Sequence, residues 1–197
     1  MKLKVKKLGD LTRPIIQFAK DVEEAEDTLD AEDSQYKRRV LARALFAMIE
    51  GTVYFLKQTT FSTGFSIRGK LKVGEFLLLL EETPELKSNG QIYTKKRFIP
   101  IEDNLKFLAR MMNEVFGAEL DLGVGTAAWR EFQTALAIRN RITHPKSEEE
   151  FSISDSEVET MKRVQGWFCQ ITADAVSGIA SFVSKHPRAK AALERIQ

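Results

Sequence analysis

The stretch from Gln35 to about Gln58 constrains the fold most, because its apolar residues are too closely spaced to lie on one side of a helix. A helix that is apolar nearly all round is buried on several sides. The sequence therefore predicts a central helix here, capped at its start by Ser34 and packed among other helices. The apolar residues that define it are Val40, Leu41, Ala44, Leu45, Phe46, Met48, Ile49, Val53, Phe55 and Leu56.

Five further segments carry the apolar spacing or the end signals of helices. They are a first helix with Pro14 in its first turn, a short helix over 71–82, a helix that starts at Pro100 and ends before Gly117, a helix capped by Thr126, and a long last helix with a Ser154/Glu157 capping box that runs to about Lys185. Together they predict an all-α fold, a helical bundle with a long C-terminal helix and minor extended segments, in one domain over residues 1–197.

Four segments are predicted to be less regular. Residues 1–10 alternate apolar and basic residues, which suits a mobile arm or a short strand. The acidic run 23–33 is expected to be a solvated face or loop, and the residues 59–69 are expected to be a linker because serine and glycine interrupt them. Residues 83–100 are expected to form an exposed loop or a small hairpin around a Ser-Asn-Gly turn.

The composition excludes several classes of protein. A single cysteine, Cys169, rules out an internal disulfide, and it is expected to be an inert thiol of the core. One cysteine and two histidines disfavour a structural metal site. No apolar run reaches the ~18 residues of a membrane span, and no signal sequence opens the chain, so we expect a cytoplasmic protein.

One short segment carries residues suited to chemistry, the nine residues from Ala137 to Pro145 at the end of a predicted helix. It places Arg139, Asn140 and His144 close together, whereas the other histidine, His186, has no polar cluster around it and is expected at the surface. On a straight helix, residues five apart point about 140° away from each other. Proline disfavours the helical region for the residue before it, so we expect His144 to turn out of the helix within reach of Arg139.

This Arg-Asn-x-x-x-His segment, in an otherwise helical chain, resembles the ribonuclease motif of the HEPN superfamily. The resemblance implies a metal-independent ribonuclease that forms a homodimer in which two motifs face each other. One subgroup of that family is paired with a nucleotidyltransferase antitoxin and often carries a tyrosine shortly after the histidine. Here Pro145 and Lys146 follow instead, so the resemblance leaves the biological setting open.

The residue types in the motif fit RNA cleavage without a metal. An unperturbed imidazole titrates near pH ~6.5, so His144 is the candidate base for the 2′-hydroxyl group. Arg139 carries a planar set of donors that matches phosphate oxygens. Asn140 is expected to orient the histidine or to bind the substrate. Because no set of carboxylates near the motif is spaced like a metal site, a two-metal nuclease is disfavoured, and we expect neither metal nor cofactor.

Three further residues are predicted to support the motif. Glu50 lies in the middle of the apolar central helix, and a buried carboxylate is costly unless it is paired. It is expected either to orient Arg139 or His144, or to pair with another base or reach water. Many HEPN proteins carry a polar or acidic residue on an early helix near the motif, so the resemblance favours the first of these. Arg141 is expected either to bind a flanking phosphate or to be an ordinary exposed arginine. Thr143, directly before His144, is a further candidate for a supporting residue.

A second basic segment is a candidate for RNA contact. Lys95, Lys96 and Arg97 lie beside the aromatic residues Tyr93 and Phe98, which is a mixture found in RNA-contacting loops. An exposed loop with an apolar foot explains the same residues.

The sequence therefore predicts an endoribonuclease that acts by 2′-hydroxyl attack, with RNA as its substrate. A toxin, a phage-defence effector and an RNA-processing factor all fit this activity, and an antitoxin or regulatory protein is a candidate partner. The alternative is a non-catalytic HEPN-like module that binds or regulates other proteins. No membrane partner is expected.

Overall fold

The computed structural model describes residues 8–64 and 71–186. The helices are α1 (Leu8–Ala31), α2 (Gln35–Thr63), α3 (Val73–Leu79), α4 (Ile101–Phe116), α5 (Ala127–Thr143) and α6 (Asp155–Lys185), and the strands are β1 (Glu82–Leu86) and β2 (Ile92–Lys96). A 3-10 turn covers Glu149–Phe151. The predicted all-α class, a helical bundle with a long C-terminal helix and minor extended segments, is confirmed. None of the described helices is both long and apolar enough to span a membrane.

The helix starts that were predicted from capping residues are confirmed. The Ser34 hydroxyl accepts the backbone N–H of Lys37 at 3.3 Å, and the Thr126 hydroxyl accepts that of Trp129 at 3.4 Å. At the start of α6, the Glu157 N–H donates to the Ser154 hydroxyl at 3.3 Å, while the Ser154 N–H donates to the Glu157 carboxylate at 2.9 Å. These local bonds replace the helical partners that the first N–H groups lack, which is why such residues locate a helix start reliably.

Three predicted boundaries were wrong, each at a helix that is longer or shorter than its local sequence indicates. Helix α1 begins at Leu8, so Pro14 lies inside it rather than in its first turn, and the acidic run stays helical as far as Ala31. Helix α2 continues through the first part of the predicted linker to Thr63. The short helix over 71–82 is confined to α3. Residues 1–7 of the predicted arm and residues 65–69 of the predicted linker lie outside the described residues, and residues 8–10 are helical rather than extended.

The predicted small hairpin is confirmed. Strands β1 and β2 pair antiparallel, with Glu82 opposite Lys96 and Leu86 opposite Ile92, around a turn in which Gly90 has a φ of 78°. Strand β1 begins at Glu82, within the segment predicted to be the short helix over 71–82, and it contains Pro84. Proline is compatible with a strand at an edge of a sheet, where its missing N–H is not needed.

The chain divides into two compact units. The first, here called the motif unit, consists of Thr12–Thr52 and Asp121–Asp174; the second, called the hairpin unit, contains the described residues 8–11, 53–64, 71–120 and 175–186. Helices α2 and α6 each contribute residues to both. The description of the chain as one domain stays a prediction.

Each unit has its own apolar core. In the motif unit, the ring centroids of Phe132 lie 5.2 Å from Trp129, 5.3 Å from Trp167 and 6.5 Å from Phe46. In the hairpin unit, Phe116 and Phe182 meet edge to face at 5.5 Å. Aromatic contacts of this kind add to the free energy gained by apolar burial, and those of the motif unit fix the position of α5.

Candidate functional site

Helix α5 delivers the motif, and its buried face sets which motif residues reach the surface. The buried residues are Trp129, Phe132, Ala135, Ile138 and Ile142. Their three- and four-residue spacing turns one stripe of the helix toward the core. Arg139 is consequently half-buried at the margin of that stripe, and Asn140 and Thr143 are exposed.

His144 leaves the helix, as predicted. It is the C-cap residue of α5, with φ −130° and ψ 57°, and its backbone N–H still donates to the Asn140 carbonyl at 3.0 Å. The following Pro145 explains this conformation, since proline disfavours the helical region for the residue before it. The imidazole is exposed, and no hydrogen bond to it is formed within the described part of the chain. It is therefore accessible to a ligand from solution.

The Arg139 guanidinium has two partners on the same surface. Its Nη2 donates to the Glu50 carboxylate at 2.6 Å, and its Nη1 donates to the Asn140 side-chain oxygen at 3.1 Å. Its central carbon also lies 5.8 Å from the ring centroid of Phe46, a distance at which a cation and an aromatic ring attract each other. A guanidinium has five N–H donors, so two bonds position it and leave three donors for another group.

Glu50 contacts Arg139, as expected if it orients the motif. The expectation rested on burial of the Glu50 carboxylate, and that premise was wrong. The Glu50 side chain is 46% exposed, so it is not a buried carboxylate that requires a partner. Residue 50 faces outward although its neighbours Met48, Ile49 and Val53 are buried. That Glu50 orients the motif for catalysis stays a prediction.

Arg141 and Thr143 are held by structural contacts. The Arg141 Nη2 donates at 2.8 Å to Glu157, the same carboxylate that caps the start of α6. This ion pair connects the last turn of α5 to α6 within the motif unit. The Thr143 hydroxyl donates to the Arg139 carbonyl at 2.6 Å, which satisfies a carbonyl near the end of the helix. Phosphate binding by Arg141 stays a prediction.

The three basic residues of the second segment lie in or directly after β2, in the hairpin unit, whereas the motif lies in the motif unit. Lys95 pairs with Glu85 at 2.6 Å, and Lys96 lies 3.8 Å from Glu82. Arg97 donates its backbone N–H to the Glu81 carbonyl at 2.7 Å. Their role in substrate binding stays a prediction.

The chain gave no match to protein-family models, to curated proteins or to solved structures. The site is therefore interpreted from its own residues. Within the described residues, no three His, Cys, Asp or Glu side chains are grouped in a way that could hold a metal ion.

Sequence reasoning missed a buried polar cluster around Lys57 in the hairpin unit. The Lys57 side chain is 1% exposed, and its ammonium donates to Glu81 at 2.9 Å and to the side-chain oxygen of Asn104 at 2.8 Å. Burial lowers the pKa of Lys57, against the opposite effect of Glu81. The only signal in the sequence is a lysine directly after Phe55 and Leu56 in an apolar helix.

Cys169 is not the core thiol that was predicted. It lies on α6 with an exposed side chain. Partial burial nevertheless raises the pKa of its thiol, with a further contribution from Glu23 and Glu26. His186 is exposed, as predicted, and its Nδ1 lies 2.8 Å from the Phe182 carbonyl.

The motif unit also contains a cleft of about 290 Å³ that includes none of the motif residues. Its charged groups are largely paired with one another. Arg38 contacts Asp33 and Asp155, and Lys162 pairs with Asp30 at 3.0 Å. The cleft is therefore a set of ion pairs between α1, α2 and α6.

Proposed function

We propose that the protein is a metal-independent endoribonuclease of the HEPN type, with its site at the C-terminal end of α5. The observation that carries the proposal is the arrangement of Arg139, Asn140 and His144. The imidazole is exposed and outside the helix, and a positioned guanidinium with free donors lies about one helical turn earlier in the chain. Asn140 connects the two, because its side chain accepts from Arg139 and its carbonyl accepts from the His144 backbone.

The proposed reaction needs a base and a stabiliser of phosphate charge. A neutral His144 imidazole takes the proton of a ribose 2′-hydroxyl group, and the resulting oxygen attacks the adjacent phosphorus. The bond from phosphorus to the 5′-oxygen of the next nucleotide then breaks, and that oxygen takes up a proton. Arg139 donates to the phosphate oxygens as negative charge develops on them. The products are a 2′,3′-cyclic phosphate and a 5′-hydroxyl end.

The leaving oxygen needs a proton donor, and one motif offers a single histidine. A homodimer in which two motifs face each other would supply a second imidazole, as the resemblance to HEPN proteins implies. A closed two-fold dimer places the same surface of each chain at the interface, so an exposed motif is compatible with it. Water is the simpler donor if the chain acts alone.

RNA is the proposed substrate, and a toxin or a phage-defence effector is one biological setting that fits this activity. Such an activity must be restrained in the host, which is the reason to include an antitoxin or regulatory protein among the proposed partners. A motif-dependent arrest of growth on induced expression is the expected behaviour of a toxin.

One observation favours a second function, that of a non-catalytic HEPN-like binding or regulatory module. Glu50 is already the counter-charge of Arg139 at 2.6 Å, and a paired guanidinium attracts phosphate less strongly than a bare one. In a binding module the same three side chains would serve to position the end of α5.

The deciding experiment is cleavage of RNA in EDTA by purified protein, with wild type beside His144→Ala and Arg139→Ala. Loss of a positioned base lowers a rate by about 10²- to 10⁴-fold, so His144→Ala is expected to abolish measurable cleavage. His186→Ala and Arg130→Ala are the matched controls, because each removes the same type of exposed side chain outside the motif. The ends of the products are identified as cyclic phosphate and 5′-hydroxyl.

Equal cleavage by His144→Ala and wild type would overturn the proposed site. If folded wild type cleaves neither structured nor unstructured RNA, either alone or as a dimer, the binding module is the better account. Sedimentation velocity of the same samples gives the oligomeric state, and a dimer that cleaves only when both motifs are intact would support the facing arrangement.

A further inference from the structure

The hairpin of β1 and β2 has two outer edges, and its register shows which backbone groups face outward. The Arg97 N–H donates to the Glu81 carbonyl at 2.7 Å, and the Lys87 N–H donates to the Gln91 carbonyl at 2.8 Å. Hydrogen-bonded and non-hydrogen-bonded pairs alternate along an antiparallel ladder. The pairs at 82 and 96, 84 and 94, and 86 and 92 are therefore the non-hydrogen-bonded ones, and their N–H and C=O groups point away from the hairpin.

The two outer edges differ in their capacity to accept another strand. The outer edge of β1 has Pro84 at its centre, which has no N–H to donate. Strand β1 is also the strand that contacts α3. The outer edge of β2 presents Ile92, Thr94 and Lys96, each with an N–H and a C=O, and within the described residues the sheet ends at β2. The edge of β2 is thus the open one.

The side chains along this edge are exposed and basic. Ile92 is 73% exposed, and the Lys96 side chain is 81% exposed. Lys95 and Arg97 flank Lys96, and no acidic residue occurs between Gln91 and Pro100. Lys95 pairs with Glu85 on β1 at 2.6 Å, whereas Lys96 lies 3.8 Å from Glu82. An incoming strand therefore meets three backbone donors and acceptors, one apolar side chain at one end and the positive charges of Lys96 and Arg97 at the other.

We propose that the outer edge of β2 binds an extended acidic segment of a partner protein by strand addition. The segment pairs its backbone with Ile92, Thr94 and Lys96 and places an apolar residue beside Ile92. Its acidic residues lie beside the exposed basic side chains of Lys96 and Arg97. Main-chain hydrogen bonds supply affinity in this mode of recognition, and alternate side chains supply specificity. The proposal does not depend on the ribonuclease activity of the motif.

Charge decides between this occupant and a second copy of the same strand. Two β2 strands paired antiparallel about Thr94 would place Lys96 opposite Ile92 and Lys95 opposite Tyr93 of the other copy. Neither lysine would meet an opposite charge there. An acidic strand supplies that charge, and pairs of opposite charge stabilise neighbouring strands.

The surroundings of Tyr93 favour a protein over RNA at this hairpin. A base would stack on the aromatic ring, but the ammonium groups of Lys87 and Lys95 already lie 5.2 and 5.6 Å from its centroid. The Tyr93 hydroxyl donates to Glu85, and Lys95 pairs with the same carboxylate at 2.6 Å. A carboxylate thus occupies the place between the lysines where a phosphate would bind.

The test uses the full chain and an acetylated, amidated peptide of sequence Glu-Glu-Thr-Val-Ile, designed to run antiparallel to β2. Binding is followed by the ¹H–¹⁵N spectrum of the protein. The amides of Ile92, Thr94 and Lys96 are expected to shift and to exchange more slowly with solvent, whereas those of Tyr93 and Lys95, which already pair with β1, change less. N-methylation of the peptide at its third and fifth residues, whose N–H groups face β2, is expected to abolish binding. N-methylation at the second and fourth residues is the matched control and leaves binding intact.

Two protein variants test the same interaction from the other side. Thr94→Pro removes the central outward N–H and places proline directly across from Pro84, so the ladder to β1 keeps its bonds and binding weakens about tenfold or more. Lys96→Glu keeps the backbone and reverses one exposed charge. It is expected to weaken binding of the acidic peptide about two- to tenfold and to strengthen binding of a Lys-Lys-Thr-Val-Ile peptide.

Three results would each overturn the proposal. The first is peptide binding that ignores both N-methylation and Thr94→Pro, because attraction would then be by charge alone. The second is the absence of peptide binding while a single-stranded oligoribonucleotide shifts the signals of Lys87, Lys95 and Arg97. The third is a self-association of the chain that Thr94→Pro abolishes, because the edge of β2 would then bind a second copy of the chain.

Discussion

Replacing Glu81 by glutamine is expected to destabilise the protein far more than its position at the end of a surface turn suggests. Glu81 supplies the negative charge nearest to the buried Lys57 ammonium, at 2.9 Å. The other contacts of that ammonium are neutral, the Asn104 oxygen at 2.8 Å and the ring of Phe107 at 5.9 Å. Glutamine keeps the shape and the acceptor oxygen of the side chain and removes only its charge.

The magnitude follows from the difference in burial between the two partners. The Lys57 side chain is 1% exposed, whereas that of Glu81 is 34% exposed. Losing a charged hydrogen bond to a buried ion costs about 1.5–3 kcal/mol, so Glu81→Gln is expected to lower the free energy of unfolding by about that amount. Lys57→Met removes the buried charge instead, lets water reach Glu81, and leaves Asn104 without its donor, at a cost of about 1–3 kcal/mol.

The two substitutions are not expected to add. Once Lys57 is methionine, Glu81→Gln changes only a partly exposed carboxylate and should cost less than about 0.5 kcal/mol. Urea unfolding of wild type, both single variants and the double variant, followed by circular dichroism, measures the coupling. Glu119→Gln is the matched control, because Glu119 is exposed and has nearly the same backbone conformation, φ 54° against 55° at Glu81. Equal effects of Glu81→Gln and Glu119→Gln, or full additivity with Lys57→Met, would refute the reasoning.

Three further predictions test other parts of the structure. Gly178→Ala should destabilise the protein by about 1–3 kcal/mol, because the added Cβ would lie 2.9 Å from the Ala118 backbone. Gly166→Ala on the same helix meets nothing within 4 Å and should stabilise the protein by about 0.5–1 kcal/mol. Thermal unfolding of both variants measures the difference. Cys169, whose pKa burial raises, should react with iodoacetamide at pH 7.5 more slowly than a cysteine in a short peptide, and equal rates would contradict this assignment. The pKa of Lys57 is lowered in the folded state, so between that pKa and the ordinary pKa of lysine the unfolded state binds more protons. In this pH window the free energy of unfolding of wild type should therefore rise with pH relative to that of Lys57→Met. Urea unfolding at several alkaline pH values tests this, and free energies of the two proteins that stay parallel or converge as pH rises would contradict it.

Helix ends were predictable wherever a single residue decides the local hydrogen bonding. Ser34, Thr126 and the Ser154/Glu157 pair each satisfy N–H groups that have no partner within their own helix, and their positions in the sequence were enough. Pro145 likewise fixed the end of α5, because its effect on His144 is steric and local.

Helix lengths were not predictable, because they depend on contacts between distant residues. The acidic part of α1 is helical because Val22, Ala25 and Leu29 are buried at helical spacing between the charges. Charge alone indicated a solvated face or a loop, and the structure shows the first of these, an exposed acidic face on a helix that three buried apolar residues hold in place. The same holds for α2, whose last turns bury Phe61 among residues that read as breakers.

The candidate site was predictable in its residues but not in its contacts. Arg139, Asn140 and His144 follow from one short segment, whereas the partner of Arg139 is 89 positions away. The apolar neighbours of Glu50 in the sequence indicated that its side chain is buried. The sequence does not show which face of α2 turns toward solvent, and Glu50 lies on that face. The buried Lys57 was missed for the converse reason, since a lysine in a helix is usually exposed.

The motif unit is formed by two stretches of chain, Thr12–Thr52 and Asp121–Asp174, with residues 53–120 between them. A ribosome releases the first stretch long before the second, and the N-terminal part of a chain can begin to fold while the rest is being made. Until α5 has emerged, Glu50 has no Arg139 to hold and Phe46 has no Phe132 to pack against. A nascent chain therefore carries no assembled site during most of its translation, and any activity against RNA waits until both stretches have left the ribosome that made them.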